Sequence, residues 1–179
     1  LLFFLFTAFP GWLAGLPAKT AAIAQAAVAG LPRDAAVAGE ALPAVLAAWL
    51  LVDPEKAAEL LDAWLATADA DGNLQPACPV VCQWAERISE ARPEAESWLS
   101  SRLPVLAKCM MREFDRYDAR GTGLPVWNSA AEALCPAEYA PGRFTVDLAV
   151  LLSNEAAAFL RLAARREDLA RELGEAEGE

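Results

Sequence analysis

The feature that most limits what this chain can fold into is a long apolar stripe between Pro93 and Tyr117. Apolar side chains recur there at spacings of three or four residues: Leu99, Leu103, Leu106, Met110, Phe114 and Tyr117. Because an α-helix turns once every ~3.6 residues, this spacing places them all on one helical face. We therefore predict an amphipathic helix that packs this face against a core.

Proline and capping residues divide the rest of the chain into further helices. Pro43–Val52 is apolar nearly all round, which is typical of a buried helix. Asp53-Pro54-Glu55 suits the start of the next helix, because aspartate caps it, proline fits the first turn and glutamate favours its positive end. Pro79 is predicted to open a third helix and Thr145 to cap the last one. The residues 165–179 form a charged tail.

Alanine-rich composition and scarce β-branched residues favour an all-α fold of 179 residues in a single helical domain, 1–179. The predicted connections alternate between short ones and long ones, and the long ones are Asp69–Pro79 and Asp118–Gly142. Helical hairpins with long loops at one end predict a toroid or a solenoid whose binding face is that end.

Charge and composition exclude several classes of function. The net charge is −10 and no basic stripe interrupts it, so nucleic acid is not a predicted partner. The absence of histidine excludes Ser–His–Asp triads and histidine metal sites. Proton transfer would have to use carboxylates, tyrosine, cysteine or lysine. No cofactor and no metal are predicted.

The four cysteines, Cys78, Cys82, Cys109 and Cys135, are predicted to be free, buried thiols rather than a zinc site, since tight C-x-x-C pairs are missing. Free thiols favour a reducing, cytoplasmic compartment. Leu1–Trp12 is strongly apolar and is predicted to be a core helix; the alternative is the remnant of a signal peptide, although a basic leader is missing. The stretch is too short to span a bilayer, so no membrane partner is predicted.

The turn Asp69-Ala70-Asp71-Gly72-Asn73 is similar to the start of a calcium loop. The twelfth position of such a loop requires glutamate, and here it is Val80. We therefore predict a polar helix–helix turn in which Gly72 is left-handed.

The segment Asp118–Gly142 is the predicted location of a functional site, because long loops in compact domains are usually functional or disordered and this one contains aromatic residues. Trp127 beside Asn128 is typical of a sugar site, in which an indole stacks on a pyranose and amides fix its hydroxyl groups. Glu132 and Glu138 supply the pair of carboxylates that glycoside hydrolysis needs, and Tyr139 is assigned to substrate binding. The alternative is that Trp127 fills a core and both glutamates are surface charges.

From Asp53 to Ala163 the chain resembles the helical-barrel glycoside hydrolases of family 63 and their bacterial relatives. The segments that carry the resemblance, in chain order, are Asp53-Pro54-Glu55, Asp71-Gly72-Asn73-Leu74-Gln75-Pro76, Cys78–Ala85, Leu103-Pro104-Val105-Leu106, Gly123–Ser129 and Thr145-Val146-Asp147-Leu148. The fifth is similar to the family's G-L-P-E-W-x-S loop and the last to its V-D-L-N helix start. The resemblance implies part of an (α/α)6 toroid and an α-glucosidase-like activity on α-linked glucosides. An incomplete barrel of this kind should expose an apolar helical seam, so we expect self-association.

The chain departs from the family's pattern at two places. The G-M-D that usually follows the loop, whose aspartate is taken as the general acid, is replaced by Ala133–Glu138. Val126 stands where the family often has glutamate. Three hypotheses follow: a glycoside hydrolase or part of one, a catalytically inactive carbohydrate-binding relative, and a helical protein-interaction module.

Overall fold

The computed structural model describes residues 29–33, 41–75, 77, 79–92, 96–118, 120–129 and 140–176, with side chains as far as Arg166. The predictions for Leu1–Trp12, Cys78 and Cys135 lie outside these residues. Within them the chain is all-α, with one isolated β-bridge. The helices are α1 (Leu42–Val52), α2 (Pro54–Leu65), α3 (Val81–Ala91), α4 (Glu96–Tyr117) and α5 (Val146–Ala176).

The boundary between α1 and α2 confirms the predicted capping. The Asp53 carboxylate accepts a hydrogen bond of 3.1 Å from the backbone N–H of Lys56, and Pro54 occupies the first turn of α2. Since the two helices meet at one residue, they fold back on each other as a hairpin, and Leu46 and Leu61 are fully buried in the core that α3 and α4 complete. At the other end of the chain, α5 continues through Arg165 of the predicted tail as far as Ala176.

The short and long connections lie at opposite ends of the helices, as predicted. At the short end, the Arg92 guanidinium contacts the Glu55 carboxylate at 2.6 Å, which joins the start of α2 to the end of α3. At the loop end, Arg112 of α4 donates a hydrogen bond of 2.5 Å to Asn73 in the connection between α2 and α3. Closure of the array into a toroid stays a prediction.

Gly72 occupies the left-handed conformation that the sequence predicts, with φ +88°. The Asp69 carboxylate accepts hydrogen bonds from the backbone N–H groups of Asp71 at 2.9 Å and Asn73 at 3.0 Å, which closes the turn. A Cβ on Gly72 would lie 2.7 Å from the backbone carbonyl of Lys108, so the turn sits directly against α4.

The central helix, α3, packs against all four of the others. It begins two residues later than Pro79, the start that the sequence predicts. Pro79 and Val80 form a turn, and the helix begins at Val81 without a side-chain cap of its own. The cap comes from α5: the buried Glu155 carboxylate accepts hydrogen bonds from the backbone N–H groups of Cys82 and, at 3.1 Å, Gln83. The first turn of α3 therefore depends on a residue far along the chain.

None of the helices in the described ranges combines the length and the apolar character that a membrane crossing requires.

Candidate functional site

The predicted loop begins directly after α4 with a hydrogen-bonded turn, Asp118 to Gly123. The Asp118 carboxylate accepts hydrogen bonds from the backbone N–H groups of Thr122 at 2.9 Å and Gly123 at 2.7 Å. The N–H of Gly123, followed by that of Thr122, lowers the pKa of Asp118, because both stabilise its ionised form. Gly121 and Gly123 have φ values of +62° and +73°, which other residues rarely adopt.

The two described arms of the loop, 120–129 and 140–145, meet beside the end of α4. Val126 donates its backbone N–H to the carbonyl oxygen of Tyr117 at 2.9 Å and forms an antiparallel bridge with Phe144. Arg120 lies against Gly142, where a Cβ would be 2.9 Å from its Nη2 atom. Both chain ends that flank residues 130–139 are thus held at the loop end of the helices.

Trp127 lies inside this junction. Its side chain is 4% exposed, and its ring meets that of Tyr117 edge to face, with centroids 5.4 Å apart and planes at 80°. The indole Nε1 donates a hydrogen bond of 3.2 Å to the Asp147 carboxylate in the first turn of α5. Leu148 and Leu152 complete the cluster, so Trp127 joins the end of α4 to the start of α5.

Asp147 holds a charge at this junction. Partial burial by itself raises the pKa of the carboxyl, but the nearby Thr145 hydroxyl, the backbone N–H of Leu148 and the indole of Trp127 together outweigh burial and lower the pKa. An ionised Asp147 also lies at the positive end of α5, which favours the negative charge. The indole is therefore anchored to a charged acceptor.

The sequence-predicted site residues fall into two groups. Asn128 is exposed beside Trp127 and donates its Nδ2 group to the Arg116 carbonyl oxygen at 3.5 Å. Glu132, Glu138 and Tyr139 lie outside the described residues. The catalytic roles of Glu132 and Glu138 and the stacking role of Trp127 stay predictions. In this conformation Trp127 is buried, as in the alternative in which it fills a core.

Sequence reasoning missed two buried carboxylates, Glu113 on α4 and Glu155 on α5, which are 2% and 1% exposed. Burial raises the pKa of Glu155 despite its hydrogen bonds to α3. Because its oxygens are occupied by backbone N–H groups, Glu155 serves as a helix cap rather than a free acid. The sequence signal that could have indicated a buried Glu155 is its position as a lone glutamate within an apolar helical stretch.

Cys82 and Cys109 confirm the prediction of free, buried thiols. Burial raises the pKa of both thiols, that of Cys109 to about 11, so neither is a ready nucleophile. Among the described side chains, no three cysteine, aspartate or glutamate residues gather as metal ligands would.

Two surface clefts are lined by described residues outside the segment Asp118–Gly142. One runs between α3 and α5 beside the Glu86–Arg161 ion pair, and the other lies between the Asp69–Asn73 turn and α4. Of the predicted site residues that the structure describes, neither Trp127 nor Asn128 lines either cleft.

Comparison with protein-family models, with curated proteins and with solved structures finds no match. The resemblance to family 63 therefore rests on the motifs of the chain itself.

Proposed function

We propose that this chain is a glycoside hydrolase-like protein that acts on or binds α-linked glucosides through the segment Asp118–Gly142. The observation that carries the proposal is the junction of the two loop arms at Val126 and Phe144. It supports a single site at the loop end, because the residues between the arms begin and finish beside the same pair of helix ends. The ordered series of family-like motifs supplies the substrate class.

In this proposal Glu138 is the general acid and Glu132 the second carboxylate. A protonated carboxyl donates its proton to the glycosidic oxygen, while the ionised one activates water or attacks the anomeric carbon. Asn128, already exposed, offers its amide to sugar hydroxyl groups, and Tyr139 supplies a second aromatic contact.

Trp127 sets a condition on binding. To stack on a pyranose, its ring must leave Tyr117 and give up the hydrogen bond to Asp147. A hydrogen bond to a charged acceptor contributes about 1.5–3 kcal/mol, so an opening step of this size would weaken sugar binding. Titration with a glucoside should then change tryptophan fluorescence in the wild type and change it less in Trp127→Phe.

The test combines calorimetry with a hydrolysis assay, using maltose and 4-nitrophenyl α-glucoside on the whole chain. We expect binding of both compounds and slow release of nitrophenol, which Glu138→Gln and Glu132→Gln abolish without loss of binding. The matched control is Glu90→Gln, which changes an exposed glutamate in the last turn of α3, at the short end. Absence of sugar binding, or equal turnover in Glu138→Gln and Glu90→Gln, would refute the hydrolase.

A catalytically inactive carbohydrate-binding relative is the second candidate, and the absence of the family's G-M-D aspartate and of any histidine favours it. Binding of maltose with no turnover in any variant supports this candidate. If no glucoside binds and the loop instead crosslinks to another protein, the chain is a helical protein-interaction module.

A further inference from the structure

The junction of the two loop arms has an inner face and an outer face. Along the first arm, Pro125 and Trp127 are buried, Val126 between them is only partly buried, and Asn128 is exposed. This alternation is that of an extended segment, in which successive side chains point to opposite sides. Partners in an antiparallel bridge point to the same side, so Phe144 shares the outer face with Val126.

Phe144 is an exposed aromatic side chain at the loop end. It is 40% exposed, whereas Trp127 on the inner face is 4% exposed. Trp127 is also held by Tyr117 and Asp147, so its ring can meet a sugar only after both contacts break. The ring of Phe144 already faces solvent, so a ligand that packs on it requires no opening step.

Two hydrogen-bond donors lie at the same junction. Asn128 is exposed, and its Nδ2 group reaches the Arg116 carbonyl oxygen at 3.5 Å, near the limit of a hydrogen bond. The exposed Arg120 lies against Gly142, where a Cβ would be 2.9 Å from its Nη2 atom, and Gly142 is two residues before Phe144. An aromatic ring is thus bordered by an amide and a guanidinium, and both can donate to hydroxyl groups.

This combination of groups suits a pyranose. The ring of a glucopyranose presents C–H groups that pack on an aromatic face, and its edge carries hydroxyl groups that require hydrogen bonds. An exposed apolar patch with a polar rim is typical of a ligand-binding surface. The carboxylates of the junction, Asp118 and Asp147, already accept hydrogen bonds from Gly123 and Trp127, so this surface offers a ligand mainly donors.

We propose that Phe144 is the side chain on which the glucose ring of the ligand packs, and that Asn128 and Arg120 donate hydrogen bonds to its hydroxyl groups. Trp127 then stays between α4 and α5 and supports this surface from the inner face. The assignment rests on the proposed function, since it concerns the same ligand and the same loop. It adds Phe144 and Arg120 to the residues that the sequence assigns to binding.

The first experiment measures maltose binding to the whole chain by calorimetry. We expect Phe144→Ala and Phe144→Leu to raise the dissociation constant on the order of 10-fold, and Phe144→Tyr to retain wild-type affinity because it keeps the aromatic face. The matched control is Val146→Ala, which shortens a side chain that is 69% exposed and follows Phe144 on the side away from Gly142. Val146→Ala should retain wild-type affinity, and circular dichroism should show equal helix content in all of these proteins.

The second experiment tests the donors and the need for a ring. Asn128→Ala and Arg120→Ala should each raise the dissociation constant for maltose by about 5-fold, through loss of one hydrogen bond. Arg166→Ala removes an exposed guanidinium on α5 and is the control, which should bind as the wild type does. Glucitol, an open-chain polyol with hydroxyl groups but no ring face, should not bind.

The outcomes separate this assignment from the proposed function. If the wild type binds maltose and Phe144→Ala binds it as tightly as Val146→Ala does, the assignment of Phe144 is wrong and the proposed function stands. The same holds if Trp127→Phe loses affinity while Phe144→Ala does not, or if glucitol binds as tightly as maltose. A wild type that binds no maltose overturns both.

Discussion

Replacing Glu155 with alanine removes the carboxylate that caps α3 from across the core. The backbone N–H groups of Cys82 and Gln83 would then lose their acceptor. A buried donor without a partner costs about 1–3 kcal/mol. With Cys82 fully buried and Gln83 half-buried, we expect Glu155→Ala to lower the free energy of unfolding by about 3 kcal/mol.

Glu155→Gln offers a graded comparison. Its carboxamide has one acceptor oxygen where the carboxylate has two, so one of the two N–H groups keeps a partner. We expect a loss of about 1.5 kcal/mol, half of that for alanine. Asn154→Ala is the matched control, because Asn154 is the exposed neighbour on the same helix and surface changes usually stay within ~0.5 kcal/mol.

Urea unfolding at pH 7, followed by circular dichroism, measures all three variants. If Glu155 caps α3, the order from least to most destabilised is Asn154→Ala, Glu155→Gln, Glu155→Ala. A Glu155→Ala variant as stable as Asn154→Ala would show that the cap contributes nothing to stability.

Three further predictions concern other groups. Burial places the pKa of Glu155 above its usual value, so between about pH 4.5 and the raised pKa the folded state retains a proton that the unfolded state loses. The free energy of unfolding of the wild type, relative to that of Glu155→Gln, should therefore be highest below about pH 4.5 and should decrease as pH rises through the raised pKa. Urea titrations at several pH values measure this difference. Gly72→Ala should lower the free energy of unfolding by more than about 2 kcal/mol, because its Cβ would lie 2.7 Å from the Lys108 carbonyl. Gly121→Ala has open space around it and should lose only the ~1 kcal/mol that a left-handed conformation costs. Equal losses in thermal unfolding would contradict the close approach at Gly72. Trp127→Phe should lower the free energy of unfolding by about 1.5–3 kcal/mol through loss of the hydrogen bond to Asp147, and an unchanged urea midpoint would contradict that anchor.

Local patterns predicted the helices well because their signals lie within a few residues. Asp53 and Pro54 mark a helix start through groups adjacent in the chain, and the Leu99–Tyr117 spacing reports one buried face. The start of α3 could not be placed in the same way. Its cap is Glu155, and no pattern around Pro79 indicates a carboxylate that reaches it from another helix.

The candidate site was predictable as a location but not as an arrangement. The length and composition of the segment Asp118–Gly142 indicated a special loop. Whether Trp127 faces a ligand or a core depends on Tyr117 and Asp147, which lie on either side of it in the chain and meet it only after α4 and α5 pack. A tryptophan next to an asparagine looks the same in both cases.

The cap on α3 also bears on the order in which the protein assembles during synthesis. Ribosomes release a chain from its N-terminus, so α1 through α4 emerge before Glu155, which lies 73 residues after Cys82. Until then the first turn of the helix at the centre of the array lacks its acceptor. In the nascent chain, the first turn of α3 therefore stays uncapped until α5 has been synthesised. A chain that ends before α5 should be degraded by proteases, because it cannot form a smaller stable folded unit.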